Sequence, residues 1–246
     1  MGDRGWALVT GGARRIGQAL CLAAARAGYD IVVHTRGHSA GETADQVRAL
    51  GRRAETRIAD LSDPLACAAL IAGAPAPPAL LVNCASVFGD DRIETLDAAG
   101  WDMTLAVNLR APVLLAQALA AALAAGRPGL IVNVLDQRVW RLNPRFFSYT
   151  ISKAALWAAT QTLAQALAPR IRVNAIGPGP TLASVHQPPG RFEAEAAAVP
   201  LGRGPTLEEI GAALRYLIDA PSVTGQMIAV DGGQHLAWRT PDVDDD

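Results

Sequence analysis

Short apolar runs alternate along the chain with longer stretches whose apolar positions recur three and four apart. Trp6–Thr10, Asp30–Thr35, Ala54–Ala59, Ala79–Val82, Gly129–Leu135, Arg170–Ala175 and Met227–Val230 are the short runs, mostly Val-, Ile- and Leu-rich, as buried strands are. Between them the period predicts helices from the glycine turn to Ala27, then over Ala40–Leu50, Pro64–Ala72, Trp101–Ala125, Ser148–Ala168 and Thr206–Ala220. The last opens on Thr206-Leu207-Glu208-Glu209, a capping-box pattern. Strands alternating with helices, and no linker, predict one α/β domain over residues 1–240. Its expected form is a doubly wound, parallel, seven-stranded sheet with helices on both faces. Pro75–Pro78 reads as a stiff connector. The Pro/Gly-rich segment from Gly177 to about Gly190 has no strong period, and 177–205 is expected to be a substrate loop. Pro241–Asp246 reads as a disordered acidic tail.

Half of the 246 residues are apolar, enough for a sizeable core. A net charge of −1 without a basic run points to neither nucleic acid nor a membrane surface as partner. No uncharged apolar stretch reaches about 18 residues, so no membrane span is expected. Cys21, Cys67 and Cys84 are odd in number and outside any metal-ligand pattern, which fits a reducing compartment; with no signal segment, the cytoplasm is the expected location. The four histidines are scattered, so no protein-bound metal is expected.

The chemistry concentrates in Asp136–Lys153. Tyr149 and Lys153 lie four apart at a helix start, which puts a phenol and an ammonium one turn apart on one face. Lys153 is the only lysine, against 21 arginines, so it sits where a compact ammonium does something a guanidinium cannot. A cation so placed is expected to lower the tyrosine pKa toward working pH. Asp136 arrives at the end of a strand, and is either part of this chemistry or a helix cap or partner of Arg138 or Arg141. Trp140, Phe146 and Phe147 follow it and are available to wall a pocket.

The first strand runs into Thr10-Gly11-Gly12-Ala13-Arg14-Arg15-Ile16-Gly17 and a helix, an arrangement that offers free N–H groups and a helix dipole to a phosphate. At the end of the second strand, where an NAD site places an acid, stand His34-Thr35-Arg36-Gly37-His38-Ser39. Cations and hydroxyls there, with Arg14 nearby, suit the 2′-phosphate of NADP. Asp60 and Leu61 are placed to meet the adenine edge. Residues 83–88 lie beyond a strand's carboxyl end, beside any cofactor. Phe88 is there either to stack on a flat substrate or to plug the local core. Asn108, an amide in an apolar helix, either caps a backbone carbonyl or joins a polar network.

Thr10-Gly11…Gly17, Asn83…Ala85, Asn108, Tyr149-x-x-x-Lys153, Pro178-Gly179 and Asp231-Gly232-Gly233 occur in the order and spacing of the short-chain dehydrogenase/reductase family, which the chain resembles over nearly its whole length. The resemblance implies a Rossmann-type fold, a proton-transferring Tyr149, and Lys153 binding the nicotinamide ribose and lowering the tyrosine pKa. It also implies Asn108 holding a relay water, and a homo-oligomer, dimer or tetramer. Three departures stand out: Arg15 in place of the middle glycine, Asp136 in place of a serine thirteen residues before the tyrosine, and Ser86 with Phe88 after the fourth strand. These resemble the pteridine and dihydromonapterin reductases, which implies Phe88 stacking a pterin over the nicotinamide. Arg15 and Ser86 would contact substrate, and Asp136 would work with Tyr149, opposing phenolate formation so that the phenol stays protonated as donor, and relaying the next proton from water. Gly11, Arg14, Arg15, Ile16, Gly17, His34, Thr35, Arg36, Asp60, Leu61, Asn83, Ala85, Ser86, Tyr149, Lys153, Pro178 and Gly179 would line the NADPH site. Arg15, Ser86, Phe88, Asp136, Tyr149 and Pro178 would line the substrate site. The expected reaction is hydride transfer to a dihydropterin, with ketone or 3-oxoacyl reduction, and more remotely nucleotide sensing, as alternatives.

Overall fold

The structure, a computed structural model, describes residues 2–183 and 187–238; the expected acidic tail lies outside them. Seven parallel strands form one sheet: β1 Trp6–Thr10, β2 Asp30–Thr35, β3 Ala54–Ile58, β4 Leu80–Asn83, β5 Gly129–Val134, β6 Ile171–Pro178 and β7 Met227–Val230. Their order is β3-β2-β1-β4-β5-β6-β7. The chain reverses its direction of travel across the sheet between β1 and β4, which opens a crevice at the carboxyl ends of those two strands. In that row Thr10 pairs with Asn83, and Asn83 with Asn133.

β1, β2, β4 and β5 are buried along their whole length, because helices cover both faces. On one face lie α1 Arg15–Arg26, α2 Gly41–Ala49 and α8 Leu207–Asp219, packed through Leu20, Val47, Ile210 and Leu214. On the other lie α3 Pro64–Ala72, α5 Ala111–Ala122 and α6 Phe147–Leu167, packed through Leu70, Leu115, Leu119 and Ala164. Each fully buried Leu or Ile contributes about 1.5–3 kcal/mol relative to an exposed one. The capping box on α8 is formed, with Thr206 and Glu209 bonding each other's backbone N–H.

Two elements differ from expectation. The single helix expected over Trp101–Ala125 is α4 Ala98–Leu105, a π turn Ala106–Arg110 and α5. Pro112 has no N–H, so the helix supplies the Asn108 carbonyl with no i+4 donor, and the wider turn forms there. Taken together, Ala98–Ala122 is long and apolar enough to cross a bilayer by length and composition alone, but it packs on the sheet as a core helix does. The expected substrate loop is also not without structure: it contains α7, Arg191–Ala197, whose apolar content is nearly all alanine and so carries little periodic signal.

Candidate active site

At the end of β1 the chain turns through Gly11, whose φ of +65° favours glycine and whose absent Cβ would meet Ala85 Cα at 2.9 Å. Thr10 Oγ1 accepts from the N–H groups of Cys84 and Ala85, at 2.9 and 3.1 Å, and so ties this turn to the exit of β4. A Cβ on Gly17 would sit 2.0 Å from the Gly11 carbonyl, so only glycine lets α1 start this close to the turn. The first turn of α1 has no acidic residue and no side-chain cap, which leaves its N–H groups and dipole to an external anion. Arg14 and Arg36 are exposed, and among the described residues their guanidiniums make no hydrogen bond or ion pair. Thr35 Oγ1 accepts from the N–H groups of Gly37 and His38 and shapes the turn that carries Arg36. This cradle fits a dinucleotide with a further anionic group near Arg14 and Arg36.

Two residues expected to line the cofactor site have other work. His34 is buried; Nδ1 accepts from Gly11 N–H at 3.2 Å and Nε2 donates to the Ala59 carbonyl at 3.0 Å. Burial lowers its pKa, so it is a neutral post under the glycine turn and not a cation for phosphate. The Leu61 side chain is part of the core. Beside it, Asp60 Oδ1 accepts from Ser62 N–H and Oγ, bonds that lower its pKa. Pro178 closes β6 and is buried, and Gly179 N–H donates to the Val230 carbonyl at 3.0 Å. Asn83 Nδ2 donates to Asn133 Oδ1 at 2.8 Å, while Asn83 Oδ1 is buried without a hydrogen-bond partner among the described residues.

β5 delivers Asp136, and α6 brings Tyr149 against it: the hydroxyl donates to Asp136 Oδ2 at 3.1 Å. The Lys153 ammonium lies 5.6 Å from the Tyr149 ring centre and donates to the Val134 carbonyl at 2.7 Å. Lys153 is 2% exposed, and burial lowers its pKa to about 8. The expected lowering of the Tyr149 pKa is not found. Burial first, then Asp136, pushes it well above its ordinary value, and the ammonium is too far and too committed to reverse this. Tyr149 is therefore held as a protonated donor. Asp136 is both a catalytic neighbour and a cap, since its Oδ1 accepts from Arg138 N–H and its Oδ2 from Arg138 Nη1.

Asn108, fully buried in the π turn, joins a polar network. Its Oδ1 accepts from Val87 N–H and Ser86 Oγ, and its Nδ2 donates to the Val87 carbonyl and Ser152 Oγ. The amide is fully occupied, so a relay water would have to use the main-chain carbonyl that Pro112 leaves without a helical donor.

The Phe88 ring lies 4.5 Å from Phe146, stacked, and 4.7 Å from Tyr149, edge-on. Phe88 thus stands at the phenol and not in a remote core. Phe146 wins its place through a left-handed backbone, φ 54°, at about 1–2 kcal/mol. Phe147 turns away to Trp101, and Trp140 to His235, so neither is seen to wall the Tyr149 pocket. Arg15 also has a positive φ, 55°, a conformation that favours glycine; its guanidinium donates to the carbonyls of Leu182 and Ala183. The Cys84 thiol is pushed up to about 11 by burial, which leaves it a small, neutral packing group beside the site.

One positioning residue was not anticipated. Asp91 accepts from Ser148 N–H and Oγ, and its carbonyl accepts from Phe147 N–H. It caps α6 from the Phe88 loop, and so couples Phe88 to the Tyr149 helix.

A family model described as enoyl-(acyl carrier protein) reductase matches residues 11–235. Galactitol 2-dehydrogenase (L-tagatose-forming) of Cereibacter sphaeroides is 36% identical over 96% of this chain and 96% of its own length. Among solved structures, FolM alternative dihydrofolate reductase 1 of Brucella canis, complexed with NADP, is 50% identical with a TM-score of 0.93, covering 98% of each chain. The Brucella suis protein of that name, also with NADP, is 50% identical with a TM-score of 0.94, covering 99% of this chain and 100% of that one.

Proposed function

This chain belongs to the short-chain dehydrogenase/reductase family, and from that premise we propose that it is an NADPH-dependent reductase of a dihydropterin such as dihydrofolate. The observation that carries the proposal is the bond from the Tyr149 hydroxyl to Asp136, at the position where the family resemblance leads one to expect a serine. The likeness to dihydrofolate reductases crystallised with NADP supports both halves of the reading.

Arg14 and Arg36 would hold the 2′-phosphate, the N-terminus of α1 the pyrophosphate, and Lys153 the ribose next to the nicotinamide. When bound, NADPH supplies the hydride. Reducing a C=N bond also needs one proton on nitrogen, and Tyr149, kept protonated by burial and by Asp136, is the donor. A phenolate left 3.1 Å from a carboxylate is unfavourable, which favours rapid return of a proton to Tyr149. Asp136, with 14% of its side chain exposed, can pass that proton in from water. Phe88 offers a flat face to a flat heterocycle, and Arg15 and Ser86 offer polar contacts to its edge.

The alternative, a ketone, polyol or oxoacyl substrate, is favoured by the 36% identity to galactitol 2-dehydrogenase. Purified protein given NADPH with dihydropterins, ketoses and oxoacyl thioesters in parallel decides between them. Turnover of a dihydropterin is expected; turnover confined to ketoses or thioesters eliminates the proposal.

A further inference from the structure

Asp136 and Arg138 make a closed fork. Oδ1 accepts from Arg138 N–H at 2.9 Å, and Oδ2 accepts from Arg138 Nη1 at 3.0 Å and from the Tyr149 hydroxyl at 3.1 Å. A carboxylate offers about four acceptor positions, so three are filled and one, on Oδ1, remains. The Arg138 guanidinium is itself held, 5.3 Å over Phe146 and 6.0 Å over Phe88, with 17% of its side chain exposed. We infer that Arg138 is a positioning residue for proton transfer: it clamps Asp136 so that Oδ2 meets the phenol and a single position on Oδ1 is left for one N–H of the substrate.

Three properties of the site support this. Lys153 is committed to the Val134 carbonyl and cannot replace the guanidinium at Asp136. Arg145 lies over Phe146 at 5.5 Å and forms no ion pair with Asp136. Of the other titratable groups around the pair, Cys84 is neutral, and Arg138 offsets part of the upward push on Tyr149. The left-handed backbone at Phe146 has a role in this arrangement: it brings a ring under the guanidinium that fixes the fork. A ketone has no N–H to give Oδ1, whereas a dihydropterin has, so the clamp also discriminates between substrates. That last point rests on the dihydropterin reading; the clamp on Tyr149 does not.

The test compares wild type, R138M and R138K for turnover of dihydrofolate with NADPH across pH. R138M keeps the stem but loses the charge, and so disfavours the carboxylate's charged form. It is expected to lower kcat about tenfold and to move the low-pH limb of the profile up by about one unit, with NADPH affinity unchanged. R138K, a point charge without the fork, should return the limb toward wild type and part of kcat. R138M with wild-type kcat and an unmoved limb overturns the inference. If a ketose or thioester proves to be the substrate, the dihydropterin reading fails, and the same profile on that substrate still decides the role of Arg138. Should R138M not fold, R138K is compared in the wild-type and D136N backgrounds. A loss of kcat seen only where Asp136 is present supports the clamp, and an equal loss in both contradicts it.

Discussion

Lys153 is an ammonium placed at a loss of stability, and replacing it with methionine should make the ligand-free protein more stable while abolishing turnover. Its pKa falls from 10.5 to about 8 because burial disfavours the charged form. A drop of roughly 2.5 pH units corresponds to about 3 kcal/mol of lost stability wherever the native lysine is charged. The offset is the Val134 carbonyl, which would lose its donor at about 1–3 kcal/mol. Methionine retains the apolar stem. The net gain for K153M near pH 7 is then about 1–2 kcal/mol, or roughly 2–8 °C in Tm for a chain of this length. Between pH 8 and 10.5 the unfolded lysine holds a proton that the native one has released, so wild-type stability gains from rising pH while K153M does not. The gap should therefore close from pH 7 to 9.5. Thermal melts of both proteins at equal concentration and several pH values measure it, and the comparison removes most of what the buried cysteines and Tyr149 contribute to both. A variant less stable than wild type at pH 7, with a gap that does not change with pH, would refute the reasoning.

Arg36→Asp should weaken NADPH relative to NADH by about ten- to a hundredfold, since it replaces a phosphate-binding guanidinium with a repelling charge; fluorescence titration of both cofactors checks it, and an unchanged preference contradicts the placement of the 2′-phosphate. Asp91→Ala removes the remote cap of α6 and should cost about 1–2 kcal/mol of stability, together with a higher KM for the flat substrate as the Phe88 loop loosens; equal melts would show that the contact contributes nothing.

The sheet was legible because its central strands are buried on both faces and so read as unbroken apolar runs that stop at Thr10, Asn83 and Asp136. The pairing of Tyr149 with Asp136, which the structure shows as a hydrogen bond, is implied by the resemblance to the pteridine reductases; the strand end and the helix start alone leave Asp136 open between this role and a cap. What sequence could not supply was anything set by three-dimensional balance. Lys153 and Asp136 push the Tyr149 pKa in opposite directions, and the sequence does not rank them; in the fold, burial first and then Asp136 in hydrogen-bond contact raise it, against an ammonium 5.6 Å from the ring. His34 stands where a phosphate-binding cation is expected, but burial lowers its pKa and both ring nitrogens are hydrogen-bonded, which no local pattern signals. The π turn at Asn108 carries no propensity signal beyond Pro112, and Asp91 caps a helix 57 residues away in the chain, beyond any local pattern. Among the described residues Arg15 and Phe146 are the two non-glycine residues with positive φ, and both lie at the site, as backbone strain at functional positions does.

The central claim, that a phenol held by a carboxylate gives its proton to a ring nitrogen, is tested most directly by kcat of Asp136→Ser on a dihydropterin, alongside its affinity for NADPH. A loss of about a hundredfold or more in kcat is expected, with NADPH binding within about twofold of wild type. Turnover of the dihydropterin at the wild-type rate would contradict it.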